Sequence, residues 1–283
     1  MNRNKNIGRN WKERMLGIVT WVCVAVAALP LLYFGTRIFL CDRFVSKGVS
    51  MLPTIPNGTG IYVNKLVLGG RIYTKFDFDS PELHCFRMPG LRRLRIGDVA
   101  VFNYPFGWRN DEIGFKINYV YIKRCIGIPG DSVSAAGSHY VNSRTGATGV
   151  PESSETRLSG IPDELLLEHK SLKAGQFAGK GDEWTIKDFG PILVPGKGMS
   201  IKLDCENARR YAKVIEYETG EKLGISEDGV TIGGRTAGTY TFRENWYFFV
   251  GDNAANSRDS RYFGFVPEDF VIGVVPKYSE RIL

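Results

Sequence analysis

Nucleophilic catalysis by a side chain needs a hydroxyl or thiol beside a base, and the commonest base, histidine, is scarce in this 283-residue chain. His84, His139 and His169 each stand in poorly patterned, loop-like sequence, which makes a Ser-His-Asp triad unattractive. Lysine can replace histidine if its pKa falls from about 10.4, and removal from water does this by penalising the ammonium. A suitable lysine lies in Tyr121-Ile122-Lys123-Arg124-Cys125-Ile126. Period-2 alternation places Lys123 on one face with Tyr121 and Cys125, and Arg124 on the other with Ile122 and Ile126. An ammonium on such a face is costly unless neutral or paired, while the alternative is an edge strand whose lysine discourages aggregation.

The candidate nucleophile is Ser50, in Gly48-Val49-Ser50-Met51-Leu52-Pro53-Thr54, after a small-residue connector and before a turn made by Pro53 and Pro56. A serine on a tight turn can present both Oγ and its own N–H to a substrate carbonyl, although loop serines are common. The neighbouring Asn57-Gly58-Thr59 is either a glycosylation sequon or simply a turn. A third cluster runs from Gly251 to Gly264, with Asp252, Ser257, Asp259 and Arg261 crowded behind an apolar strand. Such a run makes a hydrogen-bonded turn system, in which Asp259 and Arg261 can form a buried ion pair; the plain alternative is an elaborate surface loop. No Cys-x-x-Cys or His-Cys cluster argues for a metal, and five cysteines, an odd number, give no readable disulfide framework.

Positioning these groups falls to strands. Gly60–Leu66, Asp98–Tyr104, Tyr119–Ile128 and Asn245–Val250 are rich in β-branched and aromatic residues and are punctuated by Gly and Pro, which predicts a mainly β, antiparallel core. Asp42–Val49 reads as a connector. From 135 to 242 the texture turns to Ser, Gly and charge, an insert in the core that divides it into 41–134 and 243–283. Two helices are predicted inside the insert: one capped by Asp204, presenting Ala208, Tyr211, Ala212 and Ile215 and closed by Gly220, and a weaker one over Asp163–Lys173.

Composition, 43% hydrophobic and 24% charged, excludes disordered and fibrous classes. The net charge of +7 is concentrated at the start: residues 1–14 carry a net +4, leaving only +3 for the rest, which is no nucleic-acid surface. Met15 to Thr36 are 22 uncharged residues, about 33 Å as a helix against a hydrocarbon core of roughly 30 Å. A cleavable leader ending at Val26-Ala27-Ala28 is the alternative, but its apolar stretch is normally about 7 to 15 residues. The segment 15–40 therefore reads as a single retained anchor, with a cytoplasmic basic tail and about 240 residues outside by the positive-inside rule.

Taken together, the chain resembles type I signal peptidases, the bacterial membrane-anchored Ser-Lys proteases that remove signal peptides from exported proteins. The resemblance rests on four ordered blocks: Ser50-Met51-Leu52-Pro53-Thr54; Arg95-Ile96-Gly97-Asp98-Val99; Lys123 to Asp131; and Gly251 to Gly264, with Pro267 beyond. It implies a barrel-like antiparallel core bearing an inserted α+β domain, Ser50 as nucleophile and Lys123 as general base. It further implies that Ser257 hydrogen-bonds and orients the lysine amine, that Asp252, Asp259 and Arg261 support the site, and that no cofactor or metal is used. Some members carry a second serine two residues before the nucleophile; here that position is Gly48, leaving the Ser50 N–H as the oxyanion donor. Ala254-Ala255 stand where a basic and a polar residue are common.

The resemblance also implies shallow pockets for small residues one and three positions before the scissile bond, and an apolar rim resting on the lipid bilayer. Tyr104-Pro105-Phe106-Gly107-Trp108 is the candidate rim, with Phe106 and Trp108 exposed at a turn tip; packing beneath a neighbouring loop is its alternative. The expected substrates are signal-peptide-bearing preproteins and the expected location is the bacterial cytoplasmic membrane, with the catalytic domain outside. A Ser-Lys protease processing itself or a regulatory partner, and a non-enzymatic binding protein on the same scaffold, are the competing functions.

Overall fold

The lysine-bearing strand forms over Val120–Gly127 and pairs on both sides, with Val99–Asn103 and with Trp246–Val250. In this computed structural model, residues 3–75, 77, 79–107, 109, 111–168, 184–226 and 229–276 are described. Seven strands make one curled antiparallel sheet, in the order Cys41–Val45, Gly60–Asn64, Val271–Val274, Val99–Asn103, Val120–Gly127, Trp246–Val250 and Val266–Pro267. The fold is thus mainly β, as the strand pattern predicts. Val99–Asn103 and Trp246–Val250 are buried along their whole length, which is why they read as unbroken apolar runs rather than alternating ones.

Side-chain alternation divides the core between the two faces of the sheet. Ala100, Phe102, Cys125, Tyr247 and Phe249 share one cluster, in which Phe102 stacks on Phe249 at 4.5 Å. On the other face Val99 and Val101 join Met51, Ile61 and Val63, while Trp246, Phe248 and Val250 pack against residues from 126 to 242. That last cluster includes the helix Cys205–Thr219, whose Asp204 cap accepts from the Asn207 N–H at 3.0 Å and which ends at left-handed Gly220. It buries Ala208, Tyr211, Val214 and Ile215, close to the predicted face. The weaker predicted helix is present over Asp163–Glu168; the remainder of that prediction, His169 included, lies outside the described residues.

Cys41–Val45 corrects the connector reading. It is an edge strand in register with Gly60–Asn64, and its polar Asp42 and Arg43 concealed it because an edge strand buries little. A further hairpin, Arg71–Tyr73 with Cys85–Arg87, was also not anticipated. All five cysteines are free.

The N-terminal helix Arg3–Gly35 continues through a short π-helical turn, Thr36–Leu40, and its apolar span, Glu13–Leu40, is long and apolar enough to cross a membrane. No part of that span is buried against the protein. Its end is tied to the sheet: Lys65 donates through its N–H to the Leu40 carbonyl at 2.9 Å, and through Nζ to the Arg37 carbonyl at 2.7 Å and to Asp42 at 3.3 Å.

Candidate active site

Ser50 sits one residue before Met51, which is buried in the same cluster as Ile61 and Val63 and so pins the turn to the sheet. The turn is held on both sides. Asn57 Oδ1 accepts from the Gly48 N–H at 2.9 Å, so the asparagine of the sequon braces the Ser50 turn. Asn253 donates its N–H to the Ser50 carbonyl at 3.0 Å and its Nδ2 to the Val49 carbonyl at 3.0 Å. Gly48 has φ +92, in the left-handed region where a side chain is strained. The Ser50 N–H donates to no acceptor among the described residues.

Register places Lys123 opposite Ala100, and its side chain reaches back to the nucleophile turn: Nζ lies 2.6 Å from Ser50 Oγ and 3.0 Å from the Ile122 carbonyl. Only 4% of the residue is exposed. Burial brings the lysine pKa down to about 8, with Arg261 adding to the fall and Asp259 and Asp252 opposing it. The amine is therefore partly neutral near pH 8. When charged it donates to Oγ; when neutral its lone pair can accept the hydroxyl proton. Nζ also stands 5.1 Å from the centroid of the Tyr121 ring, confirming the face-sharing expected from alternation.

The third cluster is held in place beside these two groups by specific bonds. Asp259 and Arg261 form a fully buried ion pair, with Arg261 Nε and Nη2 each 2.8 Å from the carboxylate. Asp259 also accepts from the Gly251 N–H at 2.9 Å, and Arg261 donates onward to the Tyr140 hydroxyl at 2.7 Å. Asp252 is buried too, and its partner is Arg124, which clasps the carboxylate with Nε at 2.6 Å and Nη2 at 2.5 Å while donating Nη1 to the Gly97 carbonyl. The roles of Arg124 and Asn253 were missed from sequence. The available signal was a second cation beside Lys123 on an apolar face, which demands a carboxylate somewhere.

Ser257 departs from expectation. Its Oγ is buried with no hydrogen-bond partner among the described residues, and Lys123 instead contacts Ser50 and the Ile122 carbonyl. The hydroxyl stands over Gly251, where an added Cβ would lie 2.1 Å from Ser257 Oγ and 2.5 Å from the Ser50 carbonyl oxygen. Only glycine lets these three chain segments meet.

Phe106 is also corrected: it is 4% exposed, packing 6.2 Å from the Tyr104 ring and bridging to Gly114 through its backbone. An aromatic at a turn tip gains more from the Tyr104 and Phe115 cluster than from solvent. Trp108 lies outside the described residues.

Ser50 and Lys123 open on a cleft of about 670 Å³, walled by Phe44–Met51 on one side and Asn118–Lys123 on the other. The far edge of Cys41–Val45 and the Val120–Lys123 half of the lysine strand carry no sheet partner on the cleft side among the described residues. An extended peptide fits such edges. Among the described residues no cluster of ligating side chains could hold a metal.

The chain is also similar in sequence to proteins already known. "Signal peptidase I" of Buchnera aphidicola subsp. Baizongia pistaciae is 27% identical over 255 residues, 87% of this chain and 71% of its own length. That of Rickettsia bellii is 28% identical over 274 residues, 95% of this chain and 72% of its own. "Signal peptidase I P" of Bacillus subtilis subsp. natto is 27% identical over 185 residues, 65% of this chain and 72% of its own. The crystal structure of a signal peptidase I from Enterococcus faecalis aligns over 66% of this chain and 100% of its own at 18% identity, with a TM-score of 0.28. The family described as signal peptidase, peptidase S26, matches residues 18–278, nearly the whole chain, and the protein belongs to that family of serine endopeptidases.

Proposed function

We propose that this protein removes N-terminal signal peptides from exported preproteins, cutting after an Ala-x-Ala-like site with Ser50 as nucleophile and Lys123 as general base. The observation that carries the reading is the 2.6 Å contact between a buried, pKa-lowered amine and a hydroxyl on a tight turn. Neutral Lys123 takes the Ser50 proton as Oγ bonds to the scissile carbonyl carbon, and the oxyanion that forms is met by the free Ser50 N–H. The lysine then gives its proton to the departing amine, the C–N bond breaks, and an acyl-enzyme ester remains. A water deprotonated by Lys123 attacks this ester, and the proton returns to Oγ as the acid product leaves. Asp252, through Arg124, and the Asp259–Arg261 pair hold the loop from 251 to 261 against the turn. Ser257, unpartnered beside Gly251, has a hydroxyl available to the amine during turnover.

Val49, Met51 and Ile122 line the cleft near Ser50, apolar walls that support a preference for small side chains before the scissile bond. The apolar rim moves from Phe106 to the Arg71–Tyr73 and Cys85–Arg87 hairpin. Ile72 pairs with Phe86, the Leu91 N–H bonds the Leu66 carbonyl, and Leu66, Ile72, Phe86, Met88 and Leu91 are all exposed. Gly70 in this region abuts Ile38 and Phe39 at the anchor's end, which supports a surface resting on the bilayer. The basic tail supports a cytoplasmic N-terminus in the bacterial inner membrane. Incubating the full chain in detergent with a preprotein and sequencing the new N-terminus tests the function. Wild type should expose a residue following a small-x-small site, and folded Ser50→Ala should expose none.

A further inference from the structure

Arg258 also faces the cleft, and nothing in the proposed chemistry uses it. It is exposed, yet its neighbours Ser257 and Asp259 are both buried, so its backbone is fixed while its side chain projects. Its guanidinium carbon lies 5.7 Å from the Tyr104 ring centroid. Tyr104 in turn stacks on Tyr121 at 4.6 Å and meets Tyr119 edge-on at 5.2 Å. Tyr121 carries the Lys123 amine over its ring, so an aromatic platform ties Arg258 to the reacting pair. Among the described residues no carboxylate pairs with Arg258, and the cleft lining contains Lys47, Lys123 and Arg258 but no Asp or Glu.

We infer that Arg258 is a specificity-determining residue that binds a substrate carboxylate close to the scissile bond, so that the cleft selects an acidic side chain there and rejects a basic one. This rests on the proposed cleavage of peptides by Ser50 and Lys123. An unpaired, weakly hydrated guanidinium held on an aromatic face is preorganised for a carboxylate, and a cleft without acids gives an approaching cation no compensation. Lys47, on the opposite wall, stands over no aromatic ring among the described residues and contributes only diffuse field.

The test uses the full chain in detergent at pH 8.5 and low salt, with one cleavable peptide scaffold. Glu, Gln or Lys is placed in turn at the second residue before the bond and at the first and second after it. Wild type should favour Glu over Lys by about tenfold in kcat/KM at one of these positions, attraction and repulsion combining, and Arg258→Lys should keep the same sign with a smaller ratio. Arg258→Ala should bring the ratio near unity, Arg258→Glu should invert it, and 0.5 M salt should shrink it in wild type. A ratio that is the same in wild type and Arg258→Ala overturns the inference, whether that ratio is one or is set by Lys47. A uniform loss across all three peptides in Arg258→Ala also overturns it, because the side chain would then only pack on Tyr104. If wild type cleaves no peptide, the proposed function fails and the inference with it; charge-independent cleavage of all of them sinks the inference alone.

Discussion

Replacing Lys123 by Met should inactivate the protein and stabilise it at the same time, a pairing that separates a functional buried amine from a structural one. Burial lowers the lysine pKa from 10.5 to about 8. That difference corresponds to about 3 kcal/mol of cost for carrying the ammonium in the folded state, at about 1.4 kcal/mol per unit. Because the folded pKa lies below the unfolded one, the unfolded chain binds more protons between pH 8 and 10.5, and wild-type stability rises with pH across that window. The cost is full below pH 8 and gone above 10.5. Met has nearly the same volume and no charge, so Lys123→Met should raise Tm by roughly 6–12 °C at pH 6, on a scale of about 2–4 °C per kcal/mol, with the gain fading towards pH 10. Activity reports the same ionisation. An unshifted lysine would be only about 0.3% neutral at pH 8, against about half for Lys123, so log kcat/KM of wild type should climb with unit slope and level off above about pH 8. Lys123→Arg keeps the charge and cannot deprotonate, and should lose at least about 10³-fold. A Met variant less stable than wild type at pH 6, a profile still climbing past pH 10, or near-normal activity in Lys123→Arg would each refute the neutral-lysine reasoning.

Gly251→Ala should cost activity more than about 10²-fold, because its Cβ would displace either Ser257 or the Ser50 carbonyl; a steady-state assay on the purified variant, with circular dichroism to confirm folding, checks it. Ser257→Ala should leave Tm unchanged or slightly higher, since it removes an unpartnered buried hydroxyl, while kcat/KM falls by about tenfold or more; an unaltered rate would remove the hydroxyl from turnover. Protease added outside spheroplasts should digest the chain from Asp42 onward, and protection of that domain would reverse the proposed orientation.

Ser50 and Lys123 carry only weak local signals, a proline-bounded turn and an ammonium in strand alternation, and became legible through the four ordered blocks taken together. Their supports were legible as a cluster but not as partners. Arg124 and Asp252 are 128 residues apart and meet because the antiparallel register sets Val250 against Arg124, while Asn253 and Val49 are 204 apart and meet turn to turn, so no periodicity links either pair. Phe106 failed for the opposite reason. A Pro-Phe-Gly-Trp turn carries the same local signal whether it meets a membrane or Tyr104, and tertiary packing decides between them. The edge strand Cys41–Val45 was hidden because half of it faces away from the core and its Asp42 pairs with Arg37 and Lys65 rather than meeting an apolar face.

These bonds also explain how a buried amine stays partly uncharged. The nucleophile turn comes from the first part of the chain and is tethered by Asn253 from the last part, while the lysine strand lies between the two in the sheet. Sheet closure therefore buries Lys123 and delivers Ser50 to it in a single step, and neither the lowered pKa nor the 2.6 Å contact has a source in the unfolded chain. Opposing charges are nearby, yet each is committed elsewhere: Asp259 to Arg261 and the Gly251 N–H, Asp252 to Arg124. A free carboxylate at either position would pull the lysine back towards its ordinary pKa. The two ion pairs thus do more than brace the loop. Because each acid is offset by an arginine, its pull on the Lys123 amine is reduced, and desolvation remains the largest influence on that ionisation.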